Sequence, residues 1–173
     1  MNERIIVKKS DILQHIYDAR RAHQAWVKKA EKLVNGIHGY KGERVDLNVD
    51  KTFIPLDSTS CEFGKWFEHF CIPLSKIDSI GKFTQRIEEH HNALHETYEA
   101  IYFIYFVKPE QKSFLKKILS FNKNKVSESD KEKAKIHLGY LKRSSKELLE
   151  VLEVLENKIK ALEPYELKKL QEI

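Results

Sequence analysis

Apolar residues recur at intervals of three and four along three long stretches of the chain, and few architectures accommodate that spacing. Ile12, Ile16, Ala19, His23, Trp26, Ala30 and Leu33 make the first series. Ile77, Ile80, Thr84, Ile87, His91, Leu94, Tyr98, Ile101 and Tyr105 make the second, and Leu141, Ser145, Leu148, Leu152, Leu155, Ile159 and Leu162 the third. Positions three and four apart share one face of an α-helix, so each stretch predicts a long helix with a single stripe to bury. With only four Pro and six Gly in 173 residues, little interrupts them. Such helices satisfy their stripes by packing side by side. The expected fold class is all-α, an antiparallel bundle with a four-helix-bundle core and an additional C-terminal helical region.

The punctuation between stripes sets the expected boundaries. Ser10 or Asp11 is a plausible N-cap for the first helix, and Asn35-Gly36 a natural stop. Residues 36–60 hold three of the six glycines and no sustained helical period, which reads as a long loop. Ser58 or Ser60 is placed to cap a second helix that carries CEFGKWFEHF and stops at Pro73. The next helix is expected over about 74–107. Pro109 then opens a short helix ending near Phe121, NKNKVSESD makes a polar turn, and the last helix starts near Ser127 and breaks at Pro164. The division that follows is a bundle domain over 1–125 and a C-terminal helix over 126–173, packed on the bundle or extending from it.

Charge and cysteine usage narrow the function classes. The net charge is +5, but acidic and basic residues alternate along the helices, as on solvated faces, and no basic patch for nucleic acid stands out. The N-terminal MNERIIVKKSD lacks an apolar signal region, and the most apolar run, AIYFIYFV over 100–107, is far shorter than the ~20 residues that span a bilayer. Two cysteines ten residues apart make no disulfide framework. A cytoplasmic protein with reduced thiols is expected, with neither membrane nor nucleic acid as partner.

The chemistry lies in polar residues occupying stripe positions. His91 and His95 are one helical turn apart, so their rings can aim at one point. Each buried imidazole needs a polar partner, and a metal ion satisfies both. Two imidazoles are half of a tetrahedral zinc site, which takes nitrogen at ~2.0–2.1 Å and thiolate at ~2.3 Å. His23 on the first helix offers a third ligand and Cys61 a fourth. Gly64 would allow close helix approach, with Phe63 and Trp66 as an apolar wall. His15, His38, His69, His90 and His137 read as solvent-facing or loop residues, and His90 lies ~100° round the helix from its neighbour.

The ordered motifs HQAW (His23, Trp26), CEFGKW (Cys61, Phe63, Gly64, Trp66) and HNALH (His91, His95) resemble the chemoreceptor zinc-binding domain, or CZB, family. The resemblance covers roughly residues 12–107. It implies a helical-bundle sensor domain that binds Zn²⁺ through His23, Cys61, His91 and His95 and forms a homodimer. It also implies a response to zinc availability or to oxidants such as hypochlorous acid, in chemotaxis or cyclic-di-GMP signalling, with a chemoreceptor, diguanylate cyclase or other signalling protein as partner. No output domain is visible in this sequence, so a stand-alone member is expected.

Two other classes compete. Glu88-x-x-His91 and His95-x-x-x-Glu99 superficially fit a hemerythrin-like or di-iron bundle, but a second Glu-x-x-His is missing and His137 has no Asp five residues on. A metal-free helical interaction module would use the aromatic strip Tyr98, Ile101, Tyr102 and Tyr105 as core or dimer seam. An enzyme is not expected: there is no Gly-x-Ser-x-Gly, HExxH or phosphate-binding glycine loop, and three His with one Cys close a zinc shell.

Overall fold

The computed structural model describes residues 8–37, 54–106 and 126–168. Three long helices dominate: α1 (Lys9–Ile37), α4 (Asp78–Phe106) and α5 (Glu128–Ala161). Between α1 and α4 lies a broken helical stretch. It runs through a 3₁₀ turn at Ser58–Ser60, α2 (Glu62–Trp66), a π turn at Phe67–Cys71 and α3 (Ile72–Leu74). A short α6 (Pro164–Lys168) follows α5. Among the described residues every regular element is helical, and the fold is an all-α bundle.

The three stripes read from the sequence are the core. Every member of the first and third series is buried, as is every member of the second except the half-buried Tyr105. Together with Phe63, Trp66, Phe67 and Leu74 from the broken stretch, their apolar members form one contiguous cluster. α5 lies along both α4 and α1. Its direction relative to α1 is set by pairs between the two: Lys9 Nζ donates to the Leu162 carbonyl at 2.6 Å, Arg20 meets Glu156 at 3.1 Å, and Lys142 pairs with Glu31. As numbers rise on one helix they fall on the other, so α1 and α5 are antiparallel.

Several boundaries differ from expectation. α1 begins at Lys9, which puts Ser10 and Asp11 inside its first turn rather than at the cap. In the broken stretch neither Ser58 nor Ser60 is the cap. Asp57 caps the 3₁₀ turn by accepting from Thr59 N–H at 2.9 Å, and Cys61 itself caps α2. The helical stretch ends one residue past the expected stop: Pro73 falls at the start of α3, where a missing N–H costs little, and α3 ends at Leu74. α5 starts next to Ser127 as expected, with the Ser127 Oγ capping it by accepting from Asp130 N–H at 3.1 Å, and the chain breaks before Pro164. The expected short helix over 109–121 and most of the expected 36–60 loop, with His38, lie outside the described residues, as do residues 122–125 of the polar turn, whose last three residues belong to the first turn of α5. Among the described residues no helix is long and apolar enough to cross a membrane.

Candidate metal centre

Cys61 is brought to α4 by the way α2 begins. Its extended backbone (φ −77°, ψ 157°) leaves the side chain free to act as N-cap, and Sγ accepts from Gly64 N–H at 3.1 Å. The thiol donates to the Ser58 carbonyl at 3.3 Å. Gly64 is required here, although not for the approach of another helix. A Cβ on it would drive into the Ser58 carbonyl, with Ser58 C at 2.9 Å and Thr59 Cα at 3.0 Å. The glycine lets the 3₁₀ turn fold back over α2 and so fixes the sulfur.

On α4, His91 and His95 project toward that sulfur from adjacent turns, ring centroids 4.7 Å apart. His91 Nε2 lies 3.3 Å from Cys61 Sγ. His95 Nδ1 donates to the Leu56 carbonyl at 2.9 Å, which leaves Nε2 as its lone-pair nitrogen. The ligand atoms of Cys61, His91 and His95 all lie within 4.8 Å of one another, and all three residues are buried.

His23, on α1, lines the same cavity of about 340 Å³ but stands outside that trio. Its Nε2 is 2.9 Å from Ser145 Oγ on α5. Aromatic rings enclose the group. Phe63 packs on His91 at 4.6 Å and on His23 at 5.8 Å, Trp26 on His95 at 4.8 Å, and Trp66 on Phe63 at 5.1 Å.

Burial decides the protonation of these groups. It drives His91 down to about 3 and His23 to about 4, with repulsion from His95 adding to both. His95 is lowered by burial too, partly offset by its bond to Leu56 and by nearby Asp57. All three are therefore neutral at pH 7, the form that coordinates metal. Burial raises the Cys61 thiol, against the pull of the Gly64 and Phe63 N–H groups, so without a cation it holds its proton. A bound cation would displace that proton.

The donor set fits zinc. One sulfur and imidazole nitrogens are its preferred ligands, and bonds of ~2.0–2.3 Å in a tetrahedron set neighbouring donors roughly 3.3–3.8 Å apart. The 3.3 Å between Cys61 and His91 matches that spacing. A di-iron carboxylate site does not fit, because Glu88 and Glu99 face solvent while His91 and His95 are buried.

Residues 23–102 match the family model of the chemoreceptor zinc-binding domain. The chain carries a chemoreceptor zinc-binding domain. No curated protein and no solved structure matches it. This family is sensory rather than catalytic. The match begins at the α1 histidine and takes in Cys61, His91 and His95.

Among the remaining histidines, His69 is exposed, its Nδ1 donating to the Lys65 carbonyl at 2.8 Å. His15, His90 and His137 are half-buried rather than free in solvent: His15 stacks on Phe70 at 3.7 Å, and His90 faces Glu147 on α5 at 3.5 Å. Two groups at the site escaped the sequence reading. The Leu56 carbonyl is backbone and carries no residue signature. Ser145 was visible as a polar member of the α5 stripe, without a partner to give it meaning.

Proposed function

We propose that this chain is a zinc-binding sensory module whose ion is held by His23, Cys61, His91 and His95. The observation that carries the reading is the convergence of a buried thiol and two buried neutral imidazoles within 4.8 Å, inside a matched zinc-binding domain. When bound, Zn²⁺ acts as a charged crosslink among these donors and makes Cys61 a thiolate. Three neutral imidazoles and one thiolate leave the site at +1, and sulfur is its redox-active donor.

The signal is zinc availability or an oxidant. Hypochlorous acid or hydrogen peroxide delivers its oxygen to the Cys61 thiolate, forming a sulfenic acid and releasing chloride or hydroxide. The sulfenic acid has lost the thiolate charge and is the weaker donor, so the link between the broken stretch and α4 loosens. The output reaches a chemoreceptor, a diguanylate cyclase or another signalling protein in the cytoplasm, from a homodimer.

The test is elemental analysis of the purified protein, followed by oxidant treatment of the zinc-loaded form. One zinc per chain is expected, released on oxidation and retained in Cys61→Ser if that variant still loads. Absence of zinc, or two irons per chain, would refute the metal assignment. Zinc that is bound but stays through oxidation of Cys61 would make the ion a structural staple and refute the sensory role. Cys71 is the control: it is buried in the π turn with its thiol pushed up to about 12, and Cys71→Ser should respond to oxidant like the parent.

A further inference from the structure

Ser145 lies well beyond the matched segment, yet it touches the site. On the α5 stripe its neighbours Leu138, Leu141, Leu148 and Leu152 are aliphatic and buried. A hydroxyl carried into such a stripe is unfavourable unless it is hydrogen-bonded. Its partner is His23 Nε2, 2.9 Å away across the α1–α5 interface.

We propose that Ser145 is the positioning residue for His23: Ser145 Oγ accepts the His23 Nε2–H proton, which leaves Nδ1 as the lone-pair nitrogen offered to the metal. This rests on the zinc reading above. Histidines that bind metals almost always donate their other ring N–H to an outer partner, which fixes both tautomer and ring orientation. His95 already shows that arrangement, with Nδ1–H on the Leu56 carbonyl and Nε2 free. Cys61, His91 and His95 are mutually close without help from α1. His23 is the donor whose presentation remains to be fixed, and the polar contact on its ring comes from α5. The helix pair around it is held by Arg20–Glu156 on one side and Lys142–Glu31 on the other. The complete site thus needs a helix that begins after residue 102, and a change at the metal is felt directly by α5.

The experiment compares Ser145→Ala and Ser145→Thr with the parent full-length chain. Alanine suits both the helix and the apolar stripe, and threonine keeps the hydroxyl. In chelator competition, Ser145→Ala should bind zinc about 10–100-fold more weakly, while Ser145→Thr should stay within about threefold of the parent. In metal-free protein, ¹⁵N shifts of the His23 ring should report the Nε2–H tautomer in the parent and in Ser145→Thr, and a mixture of tautomers in Ser145→Ala. A parent His23 protonated on Nδ1, or a Ser145→Ala variant that binds zinc as tightly as the parent or more so, would overturn the proposal. A parent that binds no zinc refutes the zinc reading instead; loss of the Nε2–H tautomer in Ser145→Ala would still uphold the hydroxyl's hold on the ring.

Discussion

Replacing glycine by alanine should have opposite effects at two helical positions of this chain. Gly139 lies inside α5 with an exposed surface, and an added Cβ meets nothing within 4 Å. Ala is the better helix former by about 0.5–1 kcal/mol, so Gly139→Ala should stabilise by that amount. Gly64 is also helical, and the same propensity gain applies, but its Cβ would meet the backbone of Ser58 and Thr59. That turn cannot shift freely, because the Asp57 carboxylate accepts from Thr59 N–H at 2.9 Å and from Ser60 Oγ at 2.8 Å. Overpacking of this kind costs about 1–3 kcal/mol, and after the propensity gain a net loss of about 1–2 kcal/mol is expected for Gly64→Ala. In a chain of this length that lowers Tm by roughly 2–8 °C, while Gly139→Ala raises it by about 1–4 °C.

The two variants should also differ at the metal. The Gly64 N–H and the Ser58 carbonyl are the backbone partners of Cys61 Sγ, and displacing the turn moves the sulfur off His91. Zinc affinity should fall by about tenfold or more in Gly64→Ala and be unchanged in Gly139→Ala. Thermal unfolding of the metal-free proteins and chelator competition measure both effects. A Gly64→Ala variant with the parent's Tm and zinc affinity, or two variants shifted alike, would show that the turn does not sit on α2 as described.

Acid should unfold the metal-free protein early. The histidine values in the fold lie below the ordinary 6.5, so the unfolded chain binds more protons as pH falls through 6.5. Stability is therefore full above about pH 7 and declines from there down toward pH 4, by about 2 kcal/mol at pH 5 for each of His23 and His91, with His95 acting in the same direction; urea midpoints that stay flat from pH 8 to 5 would contradict this. His91→Ala should abolish tight zinc binding, whereas His90→Ala loses only a partly exposed contact with Glu147, worth about 0–1 kcal/mol. Equal effects on zinc would mean that the α4 face is assigned wrongly. For the proposed homodimer, light scattering should give twice the 20.4 kDa chain mass, and a single-chain mass across a wide concentration range would count against it.

The parts of this molecule that were legible in its sequence are those governed by a period. The α1, α4 and α5 stripes were readable because burial of one helical face repeats every three or four residues, and the same stripes exposed His23, His91 and Ser145 as polar residues in apolar company. The broken stretch was legible only as a composition. Its 3₁₀ turn, five-residue α2 and π turn are too short for a period to register, so Cys61 could be picked out as a donor but not as the cap of its own helix. Gly64 was noticed for the right property, a missing side chain, and given the wrong neighbour, since a turn folding back six residues earlier leaves no pattern. The outer partners were least accessible. One is a main-chain carbonyl at Leu56, and the other is a serine 122 positions from its histidine.

The distribution of the proposed donors over these elements bears on the oxidant response proposed above. His23, His91 and His95 stand on helices of 29 residues each, anchored along their length by the common core. Cys61 stands at the head of a five-residue helix that runs directly into a π turn, a feature that recurs at functional sites because its hydrogen-bond ladder is already out of register. Its Sγ serves two structures at once, as acceptor for the Gly64 N–H that starts α2 and as the proposed donor to the ion. In the proposed mechanism, oxidation would remove a ligand and disturb a helix start in one event. The long helices keep their packing, since the burial of their stripes does not depend on the sulfur, and α5 is reached through the Ser145–His23 contact. The broken stretch would respond, because α2 places Phe63, which packs on His91 and His23, and Trp66, which packs on Phe63. Local opening favours short elements with few turns of their own, and the proposed sulfur donor stands on such an element.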